Sequence, residues 1–168
     1  MRSEKVGSET RYIGYLDYLI KGCRNMTSII RSALVMHTAE QMYGLVNDVK
    51  SYPQFLPGCA ATELISRTGD ELVASLTISK LGVNQTFTTR NKLQFPDRME
   101  LSLVDGPFNR FVGIWHFQRL SDEACKVTFD MDFEVNNKLA GAALGAAFKQ
   151  MAATMVDSFV KRAKQVYG

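Results

Sequence analysis

The chain has 168 residues, 46% hydrophobic and 22% charged, which suffices for one domain whose core needs neither metals nor disulfides. Its formal charge of +3 is unevenly divided: residues 1–25 carry five basic and three acidic side chains, and residues 26–168 carry fifteen and fourteen. A domain so balanced lacks the broad basic field that drives nonspecific nucleic-acid binding, although a local patch stays open.

The first apolar stretch, Tyr12 to Ile20, is broken by Gly14 and Asp17 and is no secretory signal. Residues 1–25 read as an extension ahead of the fold. The alternative is an amphipathic surface segment with Tyr12, Tyr15, Leu16, Leu19 and Ile20 on one helical face. No run anywhere approaches the roughly 20 apolar residues of a membrane span, so a protein integral to the membrane is not expected. Cys23, Cys59 and Cys125 are widely spaced, without a CxxC pair. That fits reduced cytoplasmic thiols better than a disulfide framework.

Ser28 to Met36 predicts a strand. Thr38-Ala39-Glu40-Gln41 is a capping box, and Met42, Leu45, Val46 and Val49 follow at helical spacing. Ser51-Tyr52-Pro53-Gln54 has the same form and predicts a second, very short helix stopped by Pro57-Gly58. The period then changes to two. Strands are expected at about 59–67, 71–80, 83–95, 98–105, 111–120 and 124–135, separated by Gly, Pro, Asp and Ser turns. Such short connections join antiparallel neighbours.

In the last strand Val127, Phe129, Met131, Phe133 and Val135 alternate with Lys126, Thr128, Asp130, Asp132 and Glu134, so one face is core and the other meets water. Asn136-Asn137 is expected to cap a helix running to about Val166, roughly 43 Å long. Its expected apolar stripe passes through Leu144, Phe148, Met151, Met155, Phe159, Ala163 and Val166. The expected fold class is therefore α+β: a curved seven-stranded antiparallel sheet wrapped around a long C-terminal helix, with two short helices after strand one.

The inward faces name a candidate ligand pocket: Leu76, Ile78, Phe87, Leu103, Trp115, Phe117, Phe129, Met131 and Phe133 from the sheet, with Phe148, Met151 and Met155 from the helix. Either they enclose a cavity for a greasy ligand or they fill a core. Gln85, Thr89 and Asn91 share the inward phase. They bond a ligand or water, or they pair with backbone. Tyr52, Phe55 and Leu56 stand at the sheet rim as a gate, a partner contact, or anchors of the short helices. Phe108, after the Gly106-Pro107 turn, is a candidate exposed anchor. Arg90, Lys92 and Arg110 face outward as candidate phosphate contacts, with cross-strand pairing to carboxylates as the competing role. Asp130, Asp132 and Glu134 are spaced about 6–7 Å apart along a strand, too far for one metal shell. No paired base and nucleophile, Walker loop, GxGxxG or HExxH occurs, and catalysis has little support.

The element order resembles the START-like helix-grip superfamily. The stretches Val46-Asn47-Asp48-Val49-Lys50-Ser51-Tyr52-Pro53-Gln54-Phe55-Leu56-Pro57-Gly58-Cys59, Phe87-Thr88-Thr89-Arg90-Asn91, Leu103-Val104-Asp105-Gly106-Pro107-Phe108, Trp115-His116-Phe117 and Asp132-Phe133-Glu134 are similar to its RatA-like ribosome association toxins and coenzyme Q-binding START proteins. The likeness covers about 26–168. It implies a cytoplasmic binding protein, with a peripheral place at the inner membrane as the alternative. As a toxin of a type II toxin-antitoxin system it would bind the large ribosomal subunit, block subunit association, and have an antitoxin partner. Alternatively it implies a carrier of ubiquinone or another isoprenoid lipid that supports respiration. The label of oligoketide cyclase carried by many relatives is a fold-level guess. No cofactor is required by either leading reading.

Overall fold

The computed structural model of the chain describes residues 26–139 and 141–168. The expectations for residues 1–25, including the Tyr12–Ile20 stretch and Cys23, lie outside the described residues.

Seven strands form one antiparallel sheet in the order β1-β7-β6-β5-β4-β3-β2. They are β1 (Thr27–Val35), β2 (Cys59–Arg67), β3 (Glu71–Lys80), β4 (Val83–Gln94), β5 (Arg98–Asp105), β6 (Phe108–Arg119) and β7 (Cys125–Val135). From β2 to β7 each strand pairs with its sequence neighbour, as short turns require. β1 alone pairs out of sequence, with β7. Helix α1 (Ala39–Asn47) and a 3-10 helix (Val49–Gln54) connect β1 to β2, and α2 (Ala142–Tyr167) crosses the hollow of the sheet. α2 has 26 residues, so at 1.5 Å per residue it spans about 39 Å.

The Thr38 box forms as the sequence predicts. Thr38 accepts from the Gln41 backbone N–H, and the Gln41 side chain accepts from that of Thr38. The second box does not form. The 3-10 helix starts after Asp48, and the Ser51 hydroxyl donates to the Asp48 carboxylate at 2.5 Å instead of capping. The long helix also starts later than expected. Asn136 accepts from the Lys138 N–H at 3.0 Å, which closes a single turn; Gly141 is then extended, with φ −70° and ψ −177°, and α2 begins at Ala142.

The core is continuous between the concave face and α2. Trp115, Phe117, Phe129, Phe133, Phe148 and Phe159 are among its largest fully buried side chains. Phe108 is buried too, which corrects the expectation of an exposed anchor. Gly106, at φ +150°, turns the chain so tightly that Phe108 already opens β6, opposite Val135. Its ring packs against Phe87, Phe111, Phe133 and Phe148 with centroids 5.0–6.2 Å apart.

Candidate functional site

Alternation along β4 turns Phe87, Thr89 and Asn91 inward, and the register sets them opposite Leu76, Ala74 and Leu72 of β3. Ala74 is small and leaves space in front of Thr89. On the next strands Leu101, Gly113 and Met131 share a row. Gly113 contributes no side chain there, and the Met131 methyl lies 3.2 Å from where a Cβ would sit. From above, Phe148, Met151 and Met155 of α2 close the space.

The result is a cavity of about 30 Å³ lined by Val49, Tyr52, Ala74, Leu76, Phe87, Thr89, Asn91, Leu101, Phe111, Trp115, Phe129, Met131, Phe148, Met151 and Met155. A water needs roughly 10–15 Å³ measured this way, and a dry cavity that takes benzene is nearer 150 Å³. The cavity therefore has room for a water or two and none for an aromatic ring.

Two polar side chains line this apolar space. The Thr89 hydroxyl donates to the Asn91 side-chain oxygen at 3.0 Å, and both residues are buried, at 2% and 5% exposure. The Asn91 amide nitrogen approaches only the Met99 sulfur, at 3.9 Å, a weak acceptor. Tyr52 is the one ionisable residue of the lining. Its hydroxyl donates to the Val46 carbonyl. Burial holds its pKa far above the usual phenol range, with further raising by Cys59 and Asp48. A group so protected and already bonded to backbone is a poor acid or base.

The placement of the sequence-predicted residues divides clearly. Leu76, Phe87, Thr89, Asn91, Trp115, Phe129, Phe148, Met151 and Met155 share the cavity wall, as does Met131. Leu103, Phe117, Phe133 and Ile78 point inward but lie outside it. Phe133 backs the wall through Phe148, 4.7 Å between centroids. Phe117 packs beneath Tyr43 at 5.4 Å, and Leu103 sits 3.4 Å from where a Gly106 Cβ would be. Gln85, also inward in phase, is half-buried beyond the cavity.

Val49, Ala74, Leu101 and Phe111 line the cavity without having been singled out. Leu101 shares the phase of Leu103 and was readable. Phe111, the first residue of the strand expected at 111–120, shares the phase of Trp115 and Phe117 and was readable too.

Around the short helices, Tyr52 and Leu56 are buried. Tyr52 belongs to the cavity wall, not the rim. Phe55 is half-buried against Phe159, 5.1 Å between centroids, with the Arg162 guanidinium 5.2 Å above its ring. These contacts anchor the 3-10 helix to α2.

The outer face of the sheet alternates in charge. Arg90 pairs with Glu71 at 3.3 Å. Lys92 stands in register between Glu71 and Glu100, and Arg110 stands opposite Glu134.

Comparison with known proteins adds the following. Residues 35–160 match the family described as "Polyketide cyclase / dehydrase and lipid transport". The chain is 51% identical over 142 residues to the ribosome association toxin RatA of Escherichia coli (strain K12), covering 84% of this chain and 90% of that protein. It is 25% identical over 142 residues to the mitochondrial coenzyme Q-binding protein of Drosophila melanogaster, covering 82% of this chain and 59% of that one. The crystal structure of the Zhui aromatase/cyclase from a Streptomyces species superposes with a TM-score of 0.72 at 17% identity, over 83% of this chain and 94% of that chain. At that identity it speaks for the fold alone.

Proposed function

The chain belongs to the polyketide cyclase/dehydrase and lipid transport family, and we propose that within it this protein is a ribosome-association protein. It binds the large ribosomal subunit, blocks its joining to the small one, and so stops translation initiation. The observation that carries this reading is the 51% identity to a ribosome association toxin over 142 residues, nearly the whole of the helix-grip domain. The filled interior supports it: a space of about 30 Å³ is below what any ring-sized ligand needs, so the outer surface is left to act. Action on ribosomes places the protein in the cytoplasm, and an antitoxin that covers the ribosome-facing surface completes a toxin-antitoxin pair. No helix among the described residues is long and apolar enough to cross a membrane.

Sedimentation of purified large subunits with the protein tests this. Co-migration in a stoichiometric amount is expected, and a protein left at the top of the gradient at every salt concentration refutes it.

One observation favours a second reading, carriage of ubiquinone or another isoprenoid lipid. A Thr–Asn pair beside methionines and aromatics is a fitting receptor for a ring carbonyl in a greasy tunnel, and the coenzyme Q-binding relative points the same way. Carriage requires α2 to move away from the sheet. Lipid in organic extracts of protein purified from its native source supports that reading, and clean extracts remove it. Cyclase chemistry is not proposed, since the cavity wall offers Tyr52 as its single ionisable group, bonded to backbone.

A further inference from the structure

The convex sheet and α2 differ in how their charges are used. The ion pairs among the described residues are Arg90–Glu71, Arg98–Glu100 and Arg119–Asp122, and all lie on the sheet or its turns. Of the outward cations most obvious in the sequence, Arg90 makes an ion pair, and Lys92 and Arg110 make none among the described residues but stand in register with carboxylates of neighbouring strands. α2 is built otherwise. It holds four cations, Lys149, Lys161, Arg162 and Lys164, against one carboxylate, Asp157. The rest of residues 26–168 is left with eleven basic and thirteen acidic side chains. Lys149, Lys161 and Lys164 are exposed, and none makes an ion pair among the described residues.

The helix carries Lys161 and Lys164 on one line of its surface, with exposed Lys149 on the flank. Its apolar stripe is spent on the core, leaving Ala146, Gln150, Thr154, Asp157, Lys161 and Lys164 along the opposite, solvent side at spacings of three and four. Arg162 is not free in the same way. It donates to Gln54 at 2.9 Å and covers Phe55, and so is spent on anchoring the 3-10 helix.

We infer that the outer face of α2 is the surface that meets the ribosome, and that it does so through the phosphate backbone of RNA. The inference rests on the ribosome-association reading and names the surface that reading leaves open. Lysines on a straight, rigid rod suit phosphate contacts, which position a protein without reading bases. Binding to an anionic membrane is the competing use of a basic helix. Interfacial helices press an apolar face into the lipid; here that face is buried in the core, and the exposed large apolar side chains of α2, Val166 and Tyr167, are confined to its last turn.

The test uses the full chain and two triple variants with circular dichroism as a control of folding: Lys149→Gln/Lys161→Gln/Lys164→Gln on the helix and Arg90→Gln/Lys92→Gln/Arg110→Gln on the sheet. Affinity for purified large subunits is measured between 50 and 200 mM salt. Each phosphate contact contributes about −0.9 to the slope of log affinity against log salt. The helix variant is expected to bind at least about tenfold more weakly with a slope shallower by two to three, while the sheet variant changes less than about threefold.

Equal weakening of both variants, or an unaffected helix variant beside a wild type that binds, overturns the inference and leaves the ribosome reading standing. A wild type that never binds subunits defeats the reading itself. Loss of binding to phosphatidylglycerol vesicles with intact subunit binding assigns the face to lipid and overturns the inference as well.

Discussion

Thr89 and Asn91, two residues apart on one strand, bond to each other through their side chains at 3.0 Å beneath the long helix, in a space otherwise walled by apolar groups. Each is the main reason the other can be buried. A hydroxyl or amide taken from water without a partner costs about 1–3 kcal/mol, whereas an apolar pair of similar shape leaves nothing unsatisfied.

Replacing one member is therefore expected to cost more than its share. Thr89→Val should destabilise by about 1–3 kcal/mol, because the Asn91 oxygen loses its donor. The double variant Thr89→Val/Asn91→Leu should cost clearly less than the two single changes added together. Urea unfolding of the three variants measures this, and strict additivity would show that the pair does not act as a unit.

The cavity is too small for a ring as it stands, and Phe148 lies in its wall, 1% exposed. Phe148→Ala should cost about 3–5 kcal/mol and open a ring-sized void. Saturating benzene should then raise the melting temperature of the variant and leave the wild type unchanged. A rise in the wild type would mean that the interior opens readily, which strengthens the carrier reading.

Gly106 is the most crowded of the described glycines. A Cβ there would lie 2.6 Å from the Phe87 Cβ, at φ +150°. Gly106→Ala should cost about 3 kcal/mol or more, from backbone strain and from displacement of Phe87. Gly82→Ala is the contrast, since φ is +76° with open space around it, and about 1 kcal/mol is expected. Chemical denaturation of the two variants checks the difference; equal costs would contradict it.

Burial pushes the Cys59 and Cys125 thiols up to about 11. Both should resist a thiol reagent at pH 8 in the native protein and react after unfolding. A Cys23→Ser background isolates them. A thiol whose pKa is raised by folding supports the folded state fully below its unfolded value of about 8.5–9. That support is lost as pH rises toward 11, so stability should decline across this window. Rapid labelling of either thiol at pH 8 would refute the burial of these sites.

Strands bounded by clear turn residues were legible to the residue: β2, β3 and β5 run between the Gly, Pro and Asp turns that flank them. The misses come from residues with two uses. Asn136 has the chemistry of a helix cap, yet its bond to Lys138 closes one turn before the chain extends at Gly141. Gly106-Pro107 looks like a loop, but the turn is so tight that Phe108 joins the sheet. Inward direction could be read from phase for Thr89 and Asn91. Which inward residues meet the cavity could not, because that depends on where α2 lies across the rows. It excludes Phe117 and Phe133 and admits Val49 and Leu101. The pairing of Arg90 with Glu71 needed the register of β3 on β4, which short-range pattern does not carry.

Light scattering of separated ribosomal subunits mixed at the magnesium concentration that joins them tests the central proposal most directly. With the protein added to the large subunit first, the signal of intact ribosomes is expected to fall in proportion to protein, reaching a minimum near one molecule per subunit. Subunits that join at the same rate and to the same extent with the protein in tenfold excess would contradict it.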